Sequence, residues 1–268
     1  MSSWGNLSSV KKKTTIPYDA VVCCIALDEE PYIDEWIQYH LFLGFSHIYI
    51  YDNSKANTLR NRANEKVTVH PIPGVAQQLT AYNLFVQAYK RKHRWGAFID
   101  CDEFIVLKKH STIIDFLREY NDCSAVALQW KMFGTNHETR YRNEPVTKRF
   151  QLCSKTMHPL FKSICQLLYV VNYISPHKPQ LTPGHLYNTA HQMIPESDYQ
   201  MQTSCEDIAY IHHYYTKSEE EFRNKINRGK ADMIEKRSLE ELVDIHLQHN
   251  DVVNTDAWDF YIRKTAPS

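Results

Sequence analysis

The segment from Trp95 to Leu107 places two aspartates between apolar residues, and it is the strongest constraint in the sequence. It reads WGAFIDCDEFIVL and is predicted to form a single buried strand. Alternate side chains of a strand share a face, so Asp100 and Asp102 would project the same way. Two adjacent carboxylates need a proton or a cation between them. The pair therefore predicts a hard divalent ion, Mg²⁺ or Mn²⁺, which also binds substrate phosphates.

The apolar context is what favours a functional site here. A D-x-D pattern by itself is common, and such acids more often cap turns or face solvent. Burying a charge without a partner is costly, so acids inside an apolar strand need a reason that surface acids do not. Asp52, at the end of another apolar run, is equally well explained as a turn-forming residue.

The composition indicates one domain without a nucleic-acid partner. A chain of 268 residues can bury one large core, and we expect a single domain over residues 18–264 after a flexible segment at 1–17. The 31 Lys and Arg residues equal the 31 Asp and Glu residues, so no overall basic field attracts nucleic acid.

The cysteines and the apolar runs predict the cellular compartment of the protein. Seven cysteines without C-x-x-C spacing indicate buried thiols in a reducing compartment. Residues 1–15 lack the apolar core of a signal peptide, and the longest apolar run, residues 20–27, is too short to span a bilayer. We therefore expect a cytoplasmic protein without a transmembrane segment.

Apolar strands and amphipathic helices alternate along the first half of the chain. This order predicts an α/β fold with a Rossmann-type, doubly wound, mainly parallel sheet flanked by helices. In such sheets ligands bind beyond the carboxyl ends of the strands, where Asp28, Asp52 and the Asp100/Asp102 pair all lie. The predicted strands are residues 20–27, 47–52, 67–70, 95–107 and 125–130, and the predicted helices are residues 28–44, 77–93 and 113–120.

The second half of the chain is less regular. Residues 167–173 and 208–211 are predicted strands, and residues 176–195 form a proline-interrupted stretch typical of a functional loop. The pattern Ser218-x-x-Glu221 is a capping box that predicts the start of a helix. A last helix over residues 239–249 is expected to pack back on the sheet.

Six ordered motifs extend over most of the chain. They are E-W-I-x-Y-H at 35–40, I-Y-I-Y-D-N-S at 48–54, Q-x-x-A-Y-N at 78–83, W-x-x-F-I-D-x-D-E-F at 95–104, W-x-x-F-G at 130–134 and H-H-Y-x-x-K-S-x-E-E-F-x-x-K at 212–225. Together they resemble glycosyltransferase family 2-like enzymes and family 92, also known as DUF23. The resemblance implies a GT-A fold with a nucleotide-binding half at 18–130 and an acceptor-binding half at 131–264. It implies a nucleotide-sugar donor such as a UDP-sugar, a Mn²⁺ or Mg²⁺ ion, a glycan or glycoprotein acceptor, and inversion. A compact member without an anchor also resembles those of large algal viruses (chloroviruses).

The same resemblance implies roles for individual residues. His213 would be the third metal ligand beside Asp100 and Asp102, although the neighbouring His212 leaves the choice of histidine open. A short strand before these histidines would bring one of them to the rim where the acids lie. The remaining implied contacts are with the donor: Leu27, Asp28, Glu29 and Asp52 around the base and ribose, Gln78 beside them, and Asp100, Cys101, Asp102 and Lys217 around the diphosphate.

The sequence leaves the catalytic base and two alternative functions open. The candidate bases are Glu206 and Asp207, before the strand at 208–211, and His137 and Glu138, after Trp130. A phosphohydrolase of the aspartate-nucleophile type also places D-x-D at a strand end, but normally on the first strand, whereas three predicted strands precede residue 100 here. A non-catalytic nucleotide-binding module is the other alternative.

Overall fold

The first strands of the computed structural model form a parallel sheet around β1 (Ala20–Ala26). The structure describes residues 15–201, 206–228 and 249–266. On one side of β1 lie β2 (His47–Asp52) and β3 (Val67–Pro71), and on the other lies β4 (Trp95–Phe98), all parallel. Every residue of β1 is buried. Its sequence is continuously apolar because both faces of the sheet are covered.

Helices pack on both faces of this sheet and confirm the predicted α/β class. The helices of the first half are α1 (Ile33–Phe42), α2 (Gln78–Tyr89) and α3 (Ile113–Arg118). Alternate residues of β1 belong to two different apolar clusters, one with α1 and α3 and the other with α2. The predicted capping box of α3 is present, since the hydroxyl of Thr112 accepts a hydrogen bond from the backbone N–H of Asp115.

The prediction of one strand from Trp95 to Leu107 is wrong, because the chain turns in the middle of that segment. β4 ends at Phe98, and β5 (Glu103–Leu107) runs antiparallel to β13 (Ala209–His213), a strand from the far end of the chain. The intervening turn is closed by the backbone N–H of Asp100, which donates to the Glu103 carboxylate at 3.0 Å. The D-x-D residues therefore lie in a turn rather than on one face of a strand.

An antiparallel strand lies in the middle of the sheet where no strand is predicted. β8 (His158–Gln166) lies between β4 and β6 (Ala125–Met132) and is antiparallel to both. A proline and a lysine interrupt its apolar pattern, which hides it from sequence reasoning. The strand predicted at 167–173 is a short 3₁₀ turn followed by β9 (Val170–Tyr173), which pairs with β10 (Pro179–Leu181) outside the main sheet.

β13 completes the sheet near the predicted site. It confirms the strand predicted at 208–211, extends it to His213, and lies between β5 and β6, parallel to β6. β11 (Leu186–Tyr187) and β12 (Met193–Ile194) extend the other side of β6, so the order is β12-β11-β6-β8-β4-β1-β2-β3 with β13 and β5 off β6. A separate pair joins β7 (Leu152–Cys153) to β14 (Val252–Val253).

The remaining helices are α4 (Val146–Arg149), α5 (Glu219–Arg228) and α6 (Asp256–Thr265). The helix predicted over residues 239–249 lies outside the described residues, except for His249. None of the helices in the described ranges is long and apolar enough to cross a membrane. Six cysteines are buried free thiols, and Cys205 falls outside the described residues.

Candidate active site

Lysine side chains contact both carboxylates of the D-x-D turn. One oxygen of Asp100 accepts a hydrogen bond from Nζ of Lys162 on β8 at 2.9 Å, and the other accepts from Nε2 of Gln78 at 2.7 Å. Asp102 accepts a hydrogen bond from Nζ of Lys225 on α5. The Lys162 side chain is only 1% exposed. Two ammonium groups therefore supply the cations that the paired carboxylates require.

These contacts set the ionisation of the buried groups. Burial alone would raise the pKa of Asp102, but Lys225 and its neighbours outweigh burial and hold that pKa well below its usual value. Burial would lower the pKa of Lys162, whereas the facing Asp100 and Glu103 raise it above its usual value. Glu103 differs, because burial and the two aspartates raise its pKa well above the usual value although Lys162 opposes them. The surroundings thus favour the charged form of Asp102 and disfavour that of Glu103.

The two consecutive histidines of β13 face opposite sides of the sheet. Nε2 of His213 lies 3.5 Å from an oxygen of Asp102. His212 instead faces Tyr210 and Tyr214, whose hydroxyls lie 3.4 and 3.1 Å from its two ring nitrogens. Neighbours on a strand must point in opposite directions. Of the two, His213 is the one that adjoins the D-x-D turn.

The donor atoms at this turn suit a divalent ion. Carboxylate oxygens of Asp100 and Asp102 with an imidazole nitrogen of His213 are ligands that Mn²⁺ accepts. Nδ1 of His213 is buried and has no hydrogen-bond partner within the described part of the chain. The described part of the chain contains no group of three His, Cys, Asp or Glu side chains already arranged to hold a metal ion. An ion bound between Asp102 and His213 would compete with Lys225 for the Asp102 carboxylate.

An open cleft of about 310 Å³ lies beside Asp102, between the loop after β1 and the start of α5. Asp28 and Tyr32 line one side, and Lys217 and Lys225 line the other. Nζ of Lys217 lies 4.2 Å from the centre of the Tyr32 ring. It also lies 3.8 Å from a carboxylate oxygen of Glu29. The acids Asp28, Glu30 and Glu221 line the same cleft. A diphosphate would therefore bind Lys217 and Lys225 in exchange for their present carboxylate partners.

A buried ion pair holds the helix that carries Lys225. The capping box predicted for α5 is present, because the Ser218 hydroxyl accepts from the backbone N–H of Glu221 and the Glu221 carboxylate accepts from the backbone N–H of Ser218. The same carboxylate pairs with Arg149 of α4 at 2.6 Å and accepts from the Tyr32 hydroxyl at 2.8 Å. The Arg149 side chain is fully buried. One carboxylate therefore joins α4, α5 and the loop after β1.

Several residues predicted around the donor have structural contacts. Asp52 is fully buried, and its two oxygens accept hydrogen bonds from the backbone N–H groups of Ser54 and Leu59 at 2.9 Å each. Its carboxylate organises the loop after β2 instead of facing the cleft. Cys101 is also buried, with Sγ 3.6 Å from the carbonyl oxygen of Ile25. Gln78 does lie beside the site, on the Asp100 carboxylate, and Leu27, Asp28 and Glu29 follow the carboxyl end of β1.

The four candidate bases do not converge on the D-x-D turn. Glu138 forms ion pairs with Arg149 at 3.2 Å and with Arg142. Glu206 forms a salt bridge of 3.0 Å with Lys131, and its side chain is 48% exposed. His137 and Asp207 are exposed. Within the described residues, neither Glu138 nor Glu206 forms an ion pair with Lys162.

Lys162, Glu103 and Arg149 are buried ionisable residues that the sequence analysis does not single out. The signal for Lys162 is a lysine inside the apolar run L-F-K-S-I-C, the same kind of signal that identifies the D-x-D segment. Glu103 directly follows the D-x-D pattern within the apolar run. Arg149 carries no such local signal, because its partners are distant in sequence.

Comparison with known proteins identifies related sequences. The family model of glycosyltransferase family 92 matches residues 18–249. A glycosyltransferase family 92 protein of Ricinus communis is 23% identical over 242 residues, which are 84% of this chain and 40% of that protein. One of Arabidopsis thaliana is 21% identical over 243 residues, with the same coverage of 84% and 40%. The chain thus spans about 40% of the length of these plant relatives, and the viral resemblance stays a prediction.

Solved structures give a more distant similarity. The crystal structure of HddC from Yersinia pseudotuberculosis has a TM-score of 0.42 and 11% sequence identity, and it covers 77% of this chain and 97% of that one. The family match is more extensive, because it runs from before β1 to beyond α5 and includes every strand of the main sheet. On that match, this chain belongs to glycosyltransferase family 92.

Proposed function

We propose that the chain is a metal-dependent glycosyltransferase that moves a sugar from a nucleotide-sugar donor, a UDP-sugar in the first instance, to a hydroxyl of a glycan or glycoprotein with inversion. The observation that carries the proposal is the group formed by Asp100, Asp102 and His213 beside a cleft lined by Lys217 and Lys225. Carboxylates suit a hard cation, and lysines suit a diphosphate. Family membership supports the reaction class.

The proposed mechanism assigns each charged side chain to one end of the donor. Asp100, Asp102 and His213 would hold a Mn²⁺ or Mg²⁺ ion, which neutralises the charge that develops on the departing diphosphate. Lys217 and Lys225 would bind the diphosphate from the other wall of the cleft. When Lys225 leaves Asp102, its ammonium can pair with a phosphate oxygen, so the buried charge keeps a partner.

The burial of Glu103 fits a positioning role in this mechanism. Burial and the two aspartates raise its pKa and so disfavour a third negative charge beside Asp100 and Asp102. Its carboxyl group accepts from the backbone N–H of Asp100 and so fixes the D-x-D turn. Lys162 on β8 holds the Asp100 side chain from below the turn. The reacting groups are thereby oriented by residues that do not touch the donor.

A screen of nucleotide sugars tests the proposal directly. Each donor is incubated with the protein and Mn²⁺, and release of the nucleotide diphosphate is measured by mass spectrometry with and without a chelator. We expect metal-dependent turnover of at least one donor, slow with water and faster with glycan acceptors. Binding without turnover of any donor, across acceptors, would favour a non-catalytic nucleotide-binding module. Covalent trapping of Asp100 by a phosphate mimic would favour a phosphohydrolase.

We also propose that the protein works in a reducing compartment. Six buried free thiols within the described ranges support a reducing environment such as the cytoplasm. Fractionation of the tagged protein from its source cells measures this. Recovery from an oxidising compartment would contradict the assignment.

A further inference from the structure

Three histidines pack around the indole of Trp130 at the end of β6. The ring centroids of His213, His177 and His158 lie 4.4, 5.1 and 5.6 Å from that of Trp130. They come from β13, from the segment after β9, and from β8. Since His213 also adjoins Asp102, the cluster lies on the D-x-D side of the sheet.

The hydrogen bond of His177 fixes which of its nitrogens carries the proton. Nδ1 lies 3.0 Å from the backbone carbonyl oxygen of Phe161. A carbonyl oxygen only accepts, so Nδ1 must donate, and in the neutral ring Nε2 then holds the lone pair. The ring is partly exposed, and no contact in the described part of the chain occupies Nε2. Burial lowers the pKa of His177 to about 4, so the ring is neutral at neutral pH.

The other two histidines of the cluster have different protonation patterns. Nδ1 of His158 accepts a hydrogen bond from the backbone N–H of Leu160 at 3.2 Å, so its Nε2 carries the proton when the ring is neutral. Nε2 of His213 faces Asp102. Within this cluster, His177 is therefore the histidine that presents an accessible, unprotonated nitrogen.

We propose that Nε2 of His177 is the general base of the transfer reaction. This rests on the proposed function. The acceptor oxygen forms a bond to the anomeric carbon of the donor sugar as the bond from that carbon to the diphosphate breaks. The diphosphate leaves with the electron pair, and the hydroxyl proton passes to Nε2 and then to solvent. His177 is thus a catalytic residue in place of the four candidates that the sequence suggests.

The surroundings of His177 suit a base that works when donor is bound. The facing charged or titratable groups are Lys162 on β8, Asp100 in the D-x-D turn and His213 on β13, with His158 on the same indole. In the free protein, Lys162 opposes protonation and Asp100 favours it. A bound diphosphate adds negative charge nearby, which moves the pKa of the base toward the working pH.

Space for an acceptor adjoins the segment that carries His177. Ile174 and Lys178, on either side of His177 in sequence, line a cavity of about 490 Å³. The exposed ring of Tyr199 lines the same cavity. Its volume is in the range of small-molecule sites. His177 itself does not line this cavity, so an acceptor held there would have to extend past Lys178 to reach Nε2.

The variant His177→Asn tests the proposal, because the Asn amide can still donate to the Phe161 carbonyl but cannot take a proton. We expect kcat for transfer to fall by about 10²- to 10⁴-fold, the usual contribution of a general base. The donor KM, and the affinity for nucleotide diphosphate measured by calorimetry, should stay within about twofold. The matched control is His158→Asn, whose amide oxygen can still accept from Leu160, and we expect near wild-type kcat for it.

Two further readouts separate catalysis from a structural role. The acidic limb of the wild-type pH profile of kcat, which reports the donor-bound complex, should be absent in His177→Asn and present in His158→Asn. Added imidazole should restore part of the activity of His177→Ala. Normal kcat in His177→Asn, or equal loss of kcat and donor affinity, would overturn the base and leave the glycosyltransferase intact. Failure of the wild type to turn over any donor would overturn the proposed function and the base together.

Discussion

The Asp102 carboxylate is paired with a buried lysine, so its replacement affects both stability and activity. In Asp102→Asn the largely buried ammonium of Lys225 loses the negative charge of Asp102. We expect the free energy of unfolding to fall by about 3 kcal/mol, as when one partner of a buried ion pair is removed. Metal-dependent activity should be lost as well. Urea denaturation measures the first effect, and donor turnover at saturating Mn²⁺ measures the second.

The double variant Asp102→Asn/Lys225→Met provides the control, because it leaves no buried charge. We expect it to recover most of the lost stability, since well-packed apolar replacements of ion pairs are often neutral. Activity should not return with stability. Wild-type stability in the single variant would mean that the Lys225 ammonium reaches solvent in solution. Full activity of Asp102→Asn would remove Asp102 from the ligand set.

The opposite orientations of His212 and His213 predict different effects on the metal requirement. If His213 is a ligand, His213→Ala should raise the Mn²⁺ concentration needed for half-maximal activity by about one to two orders of magnitude, a loss typical of weakened coordination. His212→Ala should leave that requirement nearly unchanged, because its ring faces Tyr210 and Tyr214. Titration of activity with Mn²⁺ measures both. The reverse order would show that β13 has a different register in solution.

Among the elements, α5 carries Lys225 and closely follows Lys217, and its position depends on one buried carboxylate. Glu221→Ala removes the capping box and leaves Arg149 without that partner. We expect α5 to become mobile, with faster amide hydrogen exchange, and the donor KM to rise more than kcat falls. The matched control on the same helix is Arg223→Ala, because Arg223 is exposed and its salt bridge with Glu219 is 4.0 Å long. Unchanged exchange in Glu221→Ala would contradict this dependence.

The elements also show how far the sequence predicts the structure. β1 and β2 are predicted almost to the residue, because strands buried on both faces are apolar throughout. β8 is not predicted, because its buried lysine becomes acceptable only when the D-x-D turn supplies a counter-charge 62 residues away. The break after β4 is also not predicted. The direction of β5 is set by its pairing with β13, which lies about 100 residues further along the chain.

The same limit applies to the candidate site. The carboxylate pair is indicated by a local signal, acids in an apolar run, whereas His213 is predicted from the family resemblance, and the local strand pattern indicates only that one of His212 and His213 reaches the rim. Lys225 contacts Asp102 across 123 residues of sequence, and no local pattern indicates such a pair. Asp52 is a residue with a clear local signal whose contacts could not be predicted. It lies at a strand end as expected, but its carboxylate oxygens accept hydrogen bonds from backbone N–H groups.

The whole molecule buries histidines that serve no role in the proposed reaction, and these make folding sensitive to acid. His40 and His212 are completely buried, and burial lowers the pKa of each to about 3. An unfolded chain has histidines of ordinary pKa, near 6.5. Between these values the unfolded state binds more protons than the folded state, so stability is complete above about pH 6.5 and falls as the pH decreases.

Each fully buried histidine should contribute a slope of about 1.4 kcal/mol per pH unit in this window. His40 and His212 together should therefore cost about 3 kcal/mol between pH 6.5 and pH 5, before carboxylate protonation begins to contribute. Burial also lowers the pKa of His158 and of His177 to about 4, so these two contribute in the same window. Urea denaturation at a series of pH values measures the slope. In His212→Gln the slope should fall by about a quarter, whatever the stability of that variant at neutral pH, because one of four strongly shifted histidines is removed. A flat profile between pH 5 and pH 6.5 would mean that these imidazoles find partners for their protons in solution, and that the aromatic side of β13 is less closed than the structure indicates.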